Sequence, residues 1–383
     1  MTQIGAGLAT IPGAADAARE AAREAGGTLS AGSADLAYLF LSPAHLDDAE
    51  AAVEAVLDEL EPGTLVGCVA EGVVGRDREL EEGPAAAVWA AALPGAEIEA
   101  FHAVAVDTGD ELAIAGFPEL DEADLVTLLV DPYTFPAAPL LARLNEENPG
   151  LPLVGGLAVA GREAGEQALV VGAQVHPEGA AGVVLRNVAV RAVVSQGCAP
   201  IGRDAVITSA EGNVVYELAG ERALERLKDE IASLSQEEQL LAMRGLLAGL
   251  VIDENKPTYE RGDYLMRGLL GADEESGALA VGEQVRVGQT LRFHVRDARS
   301  ADRDLHAALD PVAREACAGA LLFTCNGRGT NMFADASHDA RVVTEALGSD
   351  ALAGFFCGGE IGPVGGRSFL HGFTATMAVF LDA

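Results

Sequence analysis

The sequence predicts an α/β protein of mixed α+β type, layered mixed β-sheets with helices, in two related domains built on one strand-helix-strand-Gly-loop unit. Three observations carry that expectation. Short apolar runs alternate with amphipathic helical stretches, the pattern of parallel strands joined by helices. Other apolar runs, at 85–93 and 167–195, follow one another with no helix between them, which adds antiparallel strands to the same sheets. Similar fragments also return three times, as LVGCVAEG (65–72), LVGGLAVAG (153–161) and LAGFFCGGEIG (352–362), each after a strand-helix unit of comparable length. The copies are unevenly spaced, which argues for a weak internal repeat rather than a solenoid.

In chain order, an Ala/Arg/Glu helix is expected over 16–25, ended by Gly26 and Gly27. LAYLFL (36–41) reads as a strand stopped by Ser42-Pro43. Leu46, Ala49, Val53, Val56, Leu57 and Leu60 then mark one helix face, closed by Pro62-Gly63. A strand over 64–68 enters the loop at 70–72, and the run 85–93 holds the only tryptophan, Trp89. The second copy has a strand at 125–130, a helix at 138–145 and a strand at 151–156. Helices are expected at 221–234 and 236–250, the second started by Ser235 with Glu238 three residues on. Runs 279–281, 284–287 and 290–296 have strand character, 302–318 helical character, and the third copy closes the chain. At 383 residues the chain is too long for one ordinary core, and the division is placed at 1–210 and 211–383.

Composition excludes several function classes. The 59 acidic residues outnumber 25 basic ones, for a formal charge of −34, and a polyanionic surface without a basic stripe repels a phosphate backbone, so no nucleic-acid partner is expected. No apolar run is long enough for a membrane helix, and Met1-Thr2-Gln3-Ile4 opens no basic leader, so a cytoplasmic location and no membrane partner are expected. The five cysteines lack metal or disulfide spacing, and the seven histidines form no i, i+4 pair, so neither a metal nor a cofactor is expected.

The third copy concentrates polar residues. Apolar runs at 320–323 and 351–356 lead into two glycine-rich fragments, 323–329 and 358–363, with a helix at 337–347 between them. Two parallel strands release their following loops at one end of a sheet, where open sheets place ligands. Both loops are therefore expected to converge on one cavity.

LLFTCNGRG (321–329), LAGFFCGGEIGPVGG (352–366) and FLHGFTATMAVF (369–380) resemble the C-terminal half of a FIST domain. VGCVAEGVVG (66–75), AAAVWAAALPG (85–95) and LVGGLAVAG (153–161) resemble its N-terminal half. The resemblance spans nearly the whole chain and implies a small-ligand-binding sensory module, with amino acids or their derivatives as ligands. Relatives of that kind occur in bacterial signalling proteins and, fused to an F-box, in eukaryotic ubiquitin-ligase adaptors. No kinase, methyl-accepting or cyclase region accompanies the two halves, so a stand-alone sensor with a separate signalling partner is expected. Ser368 stands where the resemblance leads one to expect a small polar residue, commonly Asn, so no side-chain amide is available there.

The ligand-binding set expected from these loops is Cys325, Asn326, Gly327, Arg328, Gly329, Asn331, Gly358, Gly359, Glu360 and His371. Arg328 between two glycines suits a bidentate contact with a ligand carboxylate, or a structural bridge to Glu360. Glu360 suits a ligand ammonium, so the pair would take a small anionic or zwitterionic metabolite such as an amino acid. Asn326 and Asn331 either bind a ligand or shape the loop. A different class also fits: a thiol-dependent hydrolase or transferase with Cys325 or Cys357 as nucleophile, His371 as base and loop N–H groups as oxyanion donors. No family-specific nucleophile signature supports it.

Overall fold

The computed structural model describes residues 1–30, 34–109, 112–260 and 262–382; Ala383, the end of the second expected domain, lies outside them. The expected α+β class is what the chain adopts. Packing divides it differently from the expected break at 210/211, which falls at the end of a single strand, Cys198–Glu211. One compact unit comprises Met1–Ser195 with Leu305–Ala383, and the other comprises Gln196–Asp304. The reason is that the third copy belongs to the same core as the first two.

The larger unit contains three sheets of one plan. Each has a parallel pair flanking a helix: Leu36–Leu41 with Thr64–Val69 around Ala49–Leu60; Leu125–Val130 with Leu153–Leu157 around Ala137–Glu147; and Cys317–Cys325 with Leu352–Cys357 around His338–Leu347. An antiparallel strand lies beside the first member of each pair: Ala86–Ala92, Ala180–Arg186 and Ala375–Leu381. A glycine in the second member faces a leucine of the first in every copy. A Cβ on Gly67, Gly155 or Gly354 would fall 2.1, 2.0 or 1.7 Å from the carbonyl oxygen of Leu39, Leu128 or Leu322. No other residue fits so close an approach, and this shared requirement is the physical content of the repeat.

The hairpin that follows each copy leaves its own sheet. Val73–Gly75 joins Leu352–Cys357 of the third copy, Leu169–Val171 joins Thr64–Val69 of the first, and Glu360–Val364 joins Leu153–Leu157 of the second. The three sheets are thus sewn into one body by exchanged edges. Strand residues alternate between two cores: Leu36, Tyr38 and Phe40 enter a central cluster with Phe323, Phe355 and Phe380, while Ala37, Leu39 and Leu41 meet the helices outside. That two-sided burial explains why the strand runs are apolar at every position.

The smaller unit is a closed antiparallel barrel, because Cys198–Glu211 pairs with Thr290–Arg296 on one side and Val214–Leu218 on the other. The Ser235 helix start forms as a full capping box with Glu238. Two expectations fail here. The helix stops at Arg244, since the barrel takes 246–251 as the strand Leu246–Val251, and residues 284–287 form no strand. The helix expected over 302–318 is Ala298–Leu309, and Cys317 already begins a strand. Among the described residues no helix is long and apolar enough to cross a membrane.

Candidate functional site

Cys325 and Cys357 are register partners at the C-terminal ends of the third parallel pair. Beyond them the chain closes tightly, with the Asn326 N–H donating to the Cys357 carbonyl at 2.9 Å and the Arg328 N–H to the Cys325 carbonyl at 2.8 Å. This turn drives the Arg328 side chain inward, where it is wholly buried. Its Nε and Nη2 donate to the two oxygens of Asp339, at 2.6 and 2.8 Å, and Phe333 lies 5.3 Å beneath the guanidinium. Thr324 Oγ1 also donates to Asp339 at 2.8 Å, and His338 Nδ1 stands 3.0 Å from its other oxygen. Burial works against an ionised Asp339. The adjacent guanidinium overcomes it and holds this carboxyl well below the usual range. Of the two roles expected for Arg328, a ligand contact or a bridge to Glu360, the bridge does not form: the arginine pairs with Asp339 instead.

The second loop goes elsewhere. The Gly358 N–H donates to the Leu157 carbonyl at 3.0 Å and the Leu157 N–H to the Gly359 carbonyl at 2.8 Å, so both glycines are stitched to the second copy. Glu360 then begins a strand rather than continuing a loop. Its side chain is fully buried, with Oε2 accepting from the Thr374 N–H at 2.9 Å and from Thr374 Oγ1 at 2.8 Å, while Oε1 finds no partner. Burial outweighs those bonds and pushes its pKa up to about 8. His371 pairs opposite Glu360 and holds its Nε2 2.9 Å from the Gly362 carbonyl. Ser368, also buried, accepts from the Leu153 N–H through Oγ and exchanges bonds with Asn145, a packing role within the second copy.

Beside the first loop lies a cavity of about 640 Å³, lined by Glu71 and Gly72, by residues 79–82 of the exchanged hairpin, and by Asn326, Thr330, Asn331, Ala336 and Phe356. Asn326 and Asn331 are the members of the expected set that line it. Gly358, Gly359, Glu360 and His371 do not, so the two loops do not share a cavity. Gly327 sits against Phe373, and Gly329, at φ +50°, lies where a Cβ would meet Glu81 Oε1 at 2.6 Å. Among the described residues no lysine or arginine lines the space.

The carboxylates of that wall were missed by sequence reasoning, because RDRELEEG (76–83) reads as a solvated turn. Glu81 is fastened to Thr330, taking its N–H at 2.8 Å and its hydroxyl at 2.9 Å. Glu79 is buried; its Oε1 accepts from the Ala340 N–H at 2.8 Å, in the first turn of the helix, and its Oε2 has no partner. Burial and the neighbouring Asp339 charge push its pKa up to about 8. The only sequence signal for this contact was the acidic run itself.

Comparison with known proteins fits the architecture. The FIST N domain matches residues 35–221 and the FIST C domain residues 223–363. This chain belongs to the FIST family. FIST domains are associated with sensory signalling and small-ligand binding. An uncharacterized protein of Mycobacterium tuberculosis strain H37Rv is 45% identical over 99% of this chain and 100% of its own length. An uncharacterized protein of Mycobacterium bovis is 44% identical over 99% of each. A solved cyanuric acid hydrolase from A. caulinodans covers both chains completely at 11% identity, with a TM-score of 0.31, too low to carry an argument.

The FIST thiols are the reverse of activated. Burial and the Glu360 carboxyl push Cys325 up to about 12, and burial raises Cys357 well above the ordinary thiol value. A nucleophilic cysteine needs an electropositive, accessible setting. Arg328 stands nearby in sequence, but its charge is paired with Asp339.

Proposed function

We propose that this FIST protein senses a small metabolite through an amine, bound in the cavity between the exchanged acidic hairpin and the loop 326–331. The carrying observation is Glu79 Oε2, an unpartnered oxygen of a buried carboxyl lining that space. A buried polar atom without a partner costs free energy unless a ligand or water satisfies it. Glu71 and Glu82 add negative potential at the same wall, and Asn326 and Asn331 supply amides for the remainder of the ligand. An amino acid fits through its ammonium end. A purely anionic metabolite does not, because among the described residues no lysine or arginine lines the space.

Thermal-shift titration of the whole protein with lysine, putrescine and ethanolamine, against glutarate and acetate, tests the reading. Amine probes should raise Tm progressively, by the equivalent of about 2.7 kcal/mol at a hundredfold excess over Kd. Glu79→Gln should abolish the shift. Because a cation favours the ionised carboxyl, amine affinity should rise as pH is raised toward and through about 8. A larger shift with glutarate, or an undiminished one in Glu79→Gln, would overturn it.

A further inference from the structure

The smaller unit has a pocket of its own, about 250 Å³, formed entirely by residues between Gln196 and Asp304. Its walls are aromatic. The rings of Tyr259 and Tyr264 meet edge to face at 6.0 Å, and those of Tyr264 and His294 at 5.2 Å, making a three-ring corner. Gly249, on the neighbouring strand, makes room for it. A Cβ there would stand 2.6 Å from His294 Cε1 and 3.2 Å from Tyr264 Cβ, so only a bare Cα lets the imidazole settle beside the tyrosine.

Two polar groups break this apolar lining. His294 Nδ1 lies 3.0 Å from the Arg292 carbonyl, and since a carbonyl only accepts, Nδ1 carries the hydrogen. Burial pushes the imidazole pKa down to about 4, so the ring stays neutral and Nε2 keeps its lone pair. Arg292, two residues earlier on the same strand face, donates from Nη2 to the Gly202 carbonyl at 2.9 Å. Its Nε is buried and has no partner. An acceptor and an unsatisfied donor therefore stand beside a flat aromatic surface. Glu260 and Asp304 outnumber the one arginine among the lining residues, which disfavours an anion, and the orphaned arginine N–H disfavours a cation.

We propose that this pocket is a second small-molecule site, for an uncharged planar ring carrying a hydrogen-bond donor next to a carbonyl, as a lactam does. The ring packs against Tyr259, Tyr264 and His294, its donor meets His294 Nε2, and its carbonyl accepts from Arg292 Nε. The size admits a one- or two-ring molecule, and the site is independent of the acidic cavity in the larger unit.

Calorimetric titration of the full chain with 2-pyridone, benzoate and benzylamine tests this. Saturable binding of 2-pyridone is expected, tighter than either charged probe. Tyr259→Ala and Arg292→Met should each weaken it about tenfold, the loss of one stacking partner or one buried hydrogen bond. Glu79→Gln, in the other cavity, should leave it unchanged, so this proposal and the amine reading stand or fall separately. Gly249→Ala should abolish binding. As that variant also threatens folding, the half-buried Tyr259 provides the decisive test, with its Tm checked against the parent. The proposal is overturned if 2-pyridone fails to saturate, if benzoate or benzylamine binds more tightly, or if a folded Tyr259→Ala protein binds 2-pyridone as well as the parent.

Discussion

Asp339 and Glu360 are both fully buried carboxyls near the same strand ends, yet they titrate in opposite directions. Asp339 receives a guanidinium along two bonds, a threonine hydroxyl and a histidine neighbour. Glu360 meets only neutral donors, with two bonds from Thr374 and a contact from the Cys325 thiol. Burial penalises the charged form at both places; hydrogen bonds offset part of it at each, and the guanidinium in contact tips the balance at Asp339. Asp339 is therefore a structural anion, whereas Glu360 is a neutral acid near pH 7.

The sharpest way to break this contrast is Arg328→Met. It strands the Asp339 charge in the core and should cost about 3–5 kcal/mol, read as a lowered urea midpoint. The double variant Arg328→Met with Asp339→Leu should recover much of that loss, since neither charge then remains buried. If the single variant is as stable as the parent, Asp339 is not held ionised by Arg328.

Thr374→Val at the other carboxyl should cost only about 1 kcal/mol, one hydrogen bond to a neutral group, measured in the same unfolding series.

Smallest in magnitude below pH 4.5, where the side chain is neutral folded or unfolded, Glu360→Gln should there change stability by less than about 1 kcal/mol while altering its pH dependence above it. The folded pKa of about 8 lies above the ordinary 4.5, so the folded state holds the proton more tightly. The stability it contributes is complete below pH 4.5 and is lost as pH rises through about 8. Glu79 acts in the same sense. The parent should therefore lose stability between about pH 5 and pH 8, and Glu360→Gln should flatten part of that decline. An unchanged slope in a Tm series would show that Glu360 is ionised throughout. Asp339 has the opposite sign, protecting the fold above its ordinary range and ceasing to do so in acid.

Much of the framework is legible in the order of residues along the chain. Gly67, Gly155 and Gly354 announce three copies because a close carbonyl approach demands glycine each time. Ser235 and Glu238 announce a helix start because their capping bonds are local. Misreadings cluster where distant partners decide. Leu246–Val251 continues an apolar pattern that fits a helix as well as a strand, and the barrel selects the strand. Residues 358–363 look like a loop, but the second copy recruits most of them into its sheet.

By itself the sequence determined the α+β class, the repeated strand-helix-strand plan and the placement of a polar cluster after the third copy, because backbone propensity, periodicity and steric demand act within one element. Tertiary structure alone decided which charges meet. Glu81 reaches Thr330 across 249 positions and Glu79 reaches Ala340 across 261, through a hairpin exchanged between sheets. Electrostatic partnership depends on distance and burial in space, and no local pattern in the chain encodes either.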